Sequence, residues 1–317
     1  MLAILLITFP FFALVLCGYV ATRRGFLPLP AIPGLNTFVL YFALPCMLYR
    51  FGATTPVTQL LNPGVAGVYW ICALLMVGLT VMVTRSMRMN WNDAAFGALV
   101  GAFPNTGYMG VPLLVALLGT AAAGPAIVTI LVDLLFTSSL CIALSRLSGA
   151  NTHGAAVAAR HALKGVAANP MPWSILLGAL ASAMGLVLWT PIKETIGLLA
   201  DSASPVALFT IGAVLARSQM ESTNPTPLVD YVPVALIKLV VHPLLVLGVG
   251  IAAIELGVPL ERFALTVIVL VAALPSASNV AMLAERFGAD NGRIARIILV
   301  STALAFLTFS GAVALLI

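Results

Sequence analysis

Two stretches of this chain carry residue types that could hold a ligand inside an otherwise apolar protein: AFPNTGYMGVP at 102–112 and VAALPSASN at 271–279. Each sets a proline in a run apolar enough to cross a bilayer and follows it with amide or hydroxyl side chains. Asn105, Thr106 and Gly107 come after Pro104; Ser276, Ser278 and Asn279 come after Pro275. In hydrocarbon an unpaired N–H or C=O costs several kcal/mol, so an interrupted helix persists only where it is buried in protein or lines a wet cavity. If the two interruptions meet, the freed N–H groups and positive dipole ends of the half-helices converge, and such ends attract anions. Asn105 and Asn279 can donate and accept hydrogen bonds there, and the serines add hydroxyls. Gly107 and Gly110 would admit a ligand close to the backbone. The competing reading is that Pro104 and Pro275 only bend helices for packing, but a packing kink does not need two amide side chains.

The ionisable residues within apolar segments are the second group that could do chemistry. Arg50, Lys238, His242 and Asp133 are the clear cases, with Asp201 nearer the edge of its segment. Each is costly in a membrane and is a functional hypothesis by default. Lys238 and His242 stand at i, i+4 and share a helix face, with Pro243 next to loosen the backbone. With histidine neutral, Arg50 and Lys238 against Asp133 leave a positive surplus. Added to two helix ends, it favours an organic anion and would suit one with two carboxylates. Arg offers a bidentate hold on a carboxylate, whereas Lys acts as a point charge. Plainer readings stand beside these. Arg50 would snorkel to the interface, Asp133 and Lys238 would neutralise each other, and His242 would be either a buried neutral imidazole or a proton site. Asp201 reads as a solvated loop residue. No cofactor or metal is implied; a coupling proton or sodium ion is the most that the residues suggest.

The elements that must position these groups are membrane spans. The 317 residues are 62% hydrophobic and 8% charged, with a mean hydropathy of +1.13, which excludes an ordinary soluble domain. Runs of spanning length predict ten segments: 2–22, 34–53, 64–84, 94–118, 125–146, 170–190, 197–217, 228–253, 262–285 and 293–316. The first has no basic lead and no cleavage site, and reads as a retained span. The polar gap at 148–168, with His153 and His161, is a modest loop. Cys17, Cys46, Cys72 and Cys141 fall in apolar runs without ligand spacing and read as small buried hydrophobes.

Alternate connections sort the cations. One side carries Arg23, Arg24, Arg85, Arg88, Arg146, Arg160, Lys164, Arg217, Arg286, Arg293 and Arg296; the other carries Lys193 and Arg262. The excess marks the cytoplasm, so both termini are expected outside. The net charge of +5 is then topology and not a nucleic-acid patch.

An internal repeat organises the segments. ALPCMLYRFGA at 43–53 aligns without a gap on ASPVALFTIGA at 203–213, and VGAFPN at 100–105 aligns on VAALPS at 271–276. Segment two thus matches seven, and segment four matches nine at an equivalent proline. Two halves of five spans have opposite orientation. Inverted repeats with broken helices at corresponding positions point to a secondary transporter with a midplane site. The predicted architecture is all-α: a 5+5 inverted repeat with segments four and nine broken and crossing, residues 1–147 and 169–317 being the halves.

FVLYFALPCMLYRFG (38–52), FPNTGYMGVPLL (103–114), IKLVVHPLL (237–245), ALPSASNVAMLAERFG (273–288) and RIARIILVSTALAFLTF (293–309) carry a resemblance over all ten segments. The chain resembles the auxin efflux carrier family, which includes plant auxin exporters and bacterial carriers often assigned to malonate. The resemblance implies a scaffold of segments one, two, six and seven, a moving unit of the other six, and a homodimer through the scaffold. It places Pro104 and Asn105 on the family's proline–asparagine crossover, Pro275 and Asn279 on its counterpart, and Lys238 on the lysine of segment eight. The chain departs at Tyr41, where malonate-type members often carry an acidic residue, and at Arg50, which is not a family feature.

The expected function is an elevator-type carrier in the inner membrane. Its substrate would be a small organic anion, malonate or a related dicarboxylate first. Asn105, Asn279 and half-helix N–H groups would hold one carboxylate, and Arg50 or Lys238 the other. Asp133 or His242 would couple a proton. The alternatives are sodium-coupled or uniport carriage of another carboxylate, such as an auxin-like aromatic acid, and, remotely, an intramembrane lipid-modifying enzyme.

Overall fold

A computed structural model describes residues 2–56, 62–146, 170–221 and 226–317. The predicted loop 148–168, with Arg160, Lys164, His153 and His161, lies outside the described residues. The described chain is all-helical: α1 (Leu2–Arg23), α2 (Leu29–Thr54), α3 (Pro63–Ser86), α4 (Trp91–Ala102), α5 (Thr106–Leu118), α6 (Thr120–Ser145), α7 (Pro170–Ala183), α8 (Thr190–Glu221), α9 (Leu228–Glu255), α10 (Arg262–Ala273), α11 (Asn279–Arg286) and α12 (Asn291–Leu316). Among the described residues seven of these helices are long and apolar enough to span a bilayer: α1, α2, α3, α6, α8, α9 and α12. Helices α5, α7 and α10 are apolar but shorter.

Two boundaries differ most from the sequence reading, by seven residues each. Helix α7 ends at Ala183, short of the expected 190, and Gly185 follows with a left-handed φ of 61°. Helix α8 starts at Thr190, before the expected 197, because Pro191 in its first turn is pre-set for helix and needs no N–H partner there. Lys193 and Asp201, expected in a connection, are therefore helical.

Four helices contain a π-helical turn, at Val39–Ala43, Thr106–Gly110, Asp133–Thr137 and Ile237–Val241. Three of these end two residues before a proline: Pro45, Pro112 and Pro243. A proline inside a helix lacks its donor and clashes with the carbonyl four residues back, which here falls inside the widened turn. The fourth turn has no such proline; instead the Ser138 hydroxyl donates to the Asp133 carbonyl, five residues back, at 2.9 Å.

The chain divides into two compact units, each discontinuous in sequence. Unit 1 comprises Met1–Asn62, Thr106–Val128 and Asn169–Glu221. Its helices pack along glycine seams. A Cβ on Gly212 of α8 would lie 1.9 Å from the Val15 carbonyl oxygen of α1, and one on Gly18 the same distance from that of Phe209. Without a lateral hydrophobic drive in lipid, such backbone approach is how membrane helices gain contact.

Unit 2 comprises Pro63–Asn105, Thr129–Ala168 and Ser222–Ile317. Every residue from Ala94 to Ala102 of α4 is buried, as is Val267–Ala273 of α10, so both are core helices. Arg293, one of the cations grouped above on one side of the membrane, is buried at 2% exposure. Its Nε donates to the Asp230 carbonyl at 2.7 Å and its guanidinium to the Asp93 carbonyl at 3.1 Å, while its N–H donates to the Asp290 cap at 2.9 Å. The starts of α4, α9 and α12 are thereby tied together.

Candidate functional site

The two proline stretches fall where helices are absent. Residues 103–105 separate α4 from α5, and residues 274–278 separate α10 from α11. Within unit 2 the two gaps pair: Pro104 and Ser276 form an isolated antiparallel bridge. The Asn105 N–H donates to the Pro275 carbonyl at 2.8 Å, and the Ala277 N–H to the Phe103 carbonyl at 3.0 Å. These bonds flank the Pro104–Ser276 pair, so it is the kind of antiparallel pair whose own N–H groups do not point across. A proline at that place removes no ladder bond. The Ser276 N–H, facing away, is taken by the Ser301 hydroxyl of α12 at 3.2 Å.

The end of α10 is closed by a cation. Lys238 Nζ donates to the Ala272 carbonyl at 2.6 Å and lies 3.1 Å from His242 Nδ1. Lys238 and His242 are both fully buried. The last carbonyls of a helix lack intrahelical donors and sit at the negative end of its dipole, which is where an ammonium is best placed.

What the pairing leaves over defines the candidate site. Among the described residues, Asn105 Oδ1, Ser276 Oγ and Asn279 Oδ1 are buried polar atoms without a hydrogen-bond partner. All three belong to unit 2 and lie on or next to the paired gap; Ser278, also buried, stands between two of them in sequence. Orphaned buried polar groups are uncommon and call for an explanation, and three on or next to one backbone break mark it as the candidate site. Thr106 Oγ1, which follows in unit 1, is likewise buried without a partner among the described residues, and Gly107 is half-buried.

The remaining predicted residues are placed differently. Arg50 is ion-paired to Asp201 at 2.6 Å within unit 1, both partly exposed. Asp201 is thus a helical partner for Arg50 and not a loop residue. Asp133 is fully buried, accepting from the Tyr69 hydroxyl at 3.1 Å and from Thr137 Oγ1 at 2.9 Å. No ion pair joins Asp133 to Lys238 among the described residues. The Tyr69 and His242 rings lie 6.1 Å apart, centroid to centroid, so the aspartate and lysine clusters adjoin through aromatic rings.

Sequence reasoning missed Tyr69, Ser301 and the Ala272 carbonyl. Tyr69 is a lone phenol in an otherwise apolar segment, a weak signal that could have marked it. The other two have no signature outside the tertiary structure.

Seven bilayer-length apolar helices among the described residues, together with paired backbone breaks, define a multi-pass membrane protein with a polar centre in one unit. The family described as membrane transport protein matches residues 4–313. The chain belongs to this family, that of the auxin efflux carriers, and is a membrane transporter. It is similar to a protein of Rhizobium meliloti (strain 1021) named "Putative malonate transporter", 30% identical over 95% of this chain and 92% of that one. It is also similar to "Uncharacterized transporter YfdV" of Escherichia coli (strain K12), 24% identical over 88% of this chain and 86% of that one. An "Uncharacterized transporter" of Methanothermobacter thermautotrophicus is 26% identical over 93% of this chain and 92% of that one.

Proposed function

We propose that the chain is a secondary carrier of a small organic anion, malonate or a related dicarboxylate first. The observation that carries this reading is that Asn105, Ser276 and Asn279, on or next to the paired gap, each keep a buried side-chain oxygen without a partner. The Ser276 hydroxyl can donate to an anion, and turning either amide over about its last bond presents its NH2 in place of the oxygen. The Asn amides and the Ser276 and Ser278 hydroxyls can donate to a carboxylate, and half-helix N–H groups that follow a break add donors. Lys238, one residue layer behind the gap on the Ala272 carbonyl, biases the site toward negative charge. Malonate is favoured because a relative of 30% identity bears that name.

In this proposal the two gaps belong to broken, crossing spans of a ten-span, 5+5 inverted repeat. The expected orientation has both termini outside the inner membrane, and the expected assembly is a homodimer through segments one, two, six and seven. The mechanism is elevator-type, with segments three to five and eight to ten as the moving unit; the hydrogen bonds across the gap and from the Ser276 N–H to Ser301 support a site that travels intact. Arg50, which pairs with Asp201, is not needed for substrate contact in this proposal. The Asp133 and His242 clusters are the candidates for proton coupling, with sodium as the rival ion; uptake with each gradient imposed separately separates the two. No cofactor is invoked.

The test is uptake of labelled malonate into proteoliposomes. Asn105→Ala should abolish it while the protein remains monodisperse and folded. Full uptake with unchanged affinity would sink the assignment.

A further inference from the structure

A cavity of about 200 Å³ lies within unit 2, between α3 and α6. It is lined by Trp70, Ala73, Leu74 and Val77 of α3 and by Phe136 and Leu140 of α6, with Thr137 as the polar member. The α3 residues stand at i, i+3, i+4 and i+7, one face of one helix. On the α6 side the wall is the π-helical turn Asp133–Thr137, whose extra residue turns Phe136 outward to 51% exposure. Its ring meets that of Trp70 at 5.9 Å and closes one edge of the cavity. A dry cavity of 150 Å³ can hold a benzene-sized group, so this one takes a stretch of hydrocarbon chain.

Both walls are bilayer-length apolar helices, and Trp70 and Leu74 at its rim are well exposed. The cavity therefore faces hydrocarbon. What distinguishes it from an ordinary lipid-facing dent is the charge on the same helix. Arg85 follows Leu74 by eleven residues, three helical turns, and so returns to the cavity's side of α3. It is exposed, its guanidinium lying over the Trp91 ring at 5.0 Å and donating once, to the Met89 carbonyl. A guanidinium has five N–H donors, leaving it free to hold a phosphate as well. Arg88, also exposed, follows at the end of α3. At 1.5 Å per residue, Arg85 is about 12 Å along the axis from Val77 and about 22 Å from Trp70. These spacings match a phospholipid whose headgroup sits at the interface and whose acyl chain reaches toward the bilayer middle, the core being about 30 Å thick.

We propose that this groove is a binding site for one acyl chain of an anionic phospholipid, with Arg85 as the headgroup contact. The site abuts the buried polar cluster: Thr137 lines the cavity and its hydroxyl donates to Asp133 Oδ1 at 2.9 Å. An occupied groove backs the widened turn that presents Asp133, and an empty one leaves that turn unsupported. The lipid is thus a structural partner of the unit that contains the site, whatever the transported solute proves to be.

Native mass spectrometry of the purified full-length protein, titrated with phosphatidylglycerol or phosphatidylcholine of the same acyl chains, tests the proposal. One phosphatidylglycerol should be retained at roughly fivefold higher affinity than phosphatidylcholine, the preference expected of one interfacial arginine. Arg85→Gln should erase the preference. Leu74→Trp, which fills the groove from an exposed position, should abolish retention of both lipids in that site. Equal retention of the two lipids by the wild type overturns the proposal. So does a preference that survives Leu74→Trp, which would place the lipid elsewhere. Circular dichroism of both variants establishes that they are folded.

Discussion

Replacing Ser301 by alanine should loosen the paired gap without touching it in sequence. Ser301 Oγ accepts from the Ser276 N–H at 3.2 Å and donates to the Ile298 carbonyl at 3.0 Å. The second bond is a local one, and the Ile298 carbonyl keeps its helical environment when it is lost. The first is different: Ser276 is fully buried, and in its bridge with Pro104 the N–H points away from the partner strand. An unsatisfied buried donor costs about 1–3 kcal/mol. Referred to local opening of the 274–278 gap, this is a population of open states raised about five- to 150-fold. Hydrogen exchange in nanodiscs reads that quantity directly for the peptide that contains Ser276 to Ala281. Its amides should exchange faster in Ser301→Ala by a factor in this range, with the α8 peptides of unit 1 unchanged. Ser301→Thr, which keeps the oxygen in a rotamer compatible with a helix, should restore most of the protection. Malonate uptake should fall in the alanine variant and recover in the threonine one. Unaltered exchange in Ser301→Ala would show that the bond does not hold the gap and would refute the reasoning.

The glycine seam of unit 1 should respond with opposite signs at two places on one helix. Gly212→Ala forces two backbones apart by about 1 Å and should lower stability by about 1–3 kcal/mol; Gly197→Ala, with nothing within 4 Å of its Cβ, should raise it by about 0.5–1 kcal/mol; detergent-unfolding titrations measure both. Tyr69→Phe and Thr137→Val each remove one of the two side-chain donors to Asp133. Each should cost about 1–3 kcal/mol, and the double variant should deviate from additivity because both act on one carboxylate. A double-mutant cycle with no coupling would separate the two contacts.

Much of the architecture was legible because prolines and apolar runs act locally. Pro104 and Pro275 marked both breaks. A widened turn lies just before each of Pro45, Pro112 and Pro243, but Pro10, Pro205 and Pro233 sit inside helices without one, so proline alone does not dictate it. Lys238 and His242 were recognisable as neighbours because an i, i+4 spacing fixes a shared face. The remainder depends on register between distant segments. Nothing in the sequence says that Pro104 faces Ser276, that Ser301 lies behind it, or that Lys238 reaches the carbonyl of Ala272. Charge counting suggested that Asp133 and Lys238 neutralise each other, but it could not show that Asp133 also takes two hydroxyl donors or that Lys238 also caps a helix end. Arg50 and Asp201 were read separately, one as a ligand contact or interfacial residue and one as a loop residue. They meet because α2 and α8 pack against each other in unit 1, a pairing of distant segments that the sequence does not state. The burial of Arg293 had no signature in the sequence either: only the convergence of Asp93, Asp230 and Asp290 gives it a buried place.

Calorimetric titration of malonate into the purified transporter bears most directly on the idea that the amide NH2 groups of Asn105 and Asn279 and the Ser276 hydroxyl hold an anion. Wild type should bind one malonate per chain, and Asn279→Ala, folded and monodisperse, should show no measurable heat at the same concentrations. Equal binding by the two proteins would contradict the account.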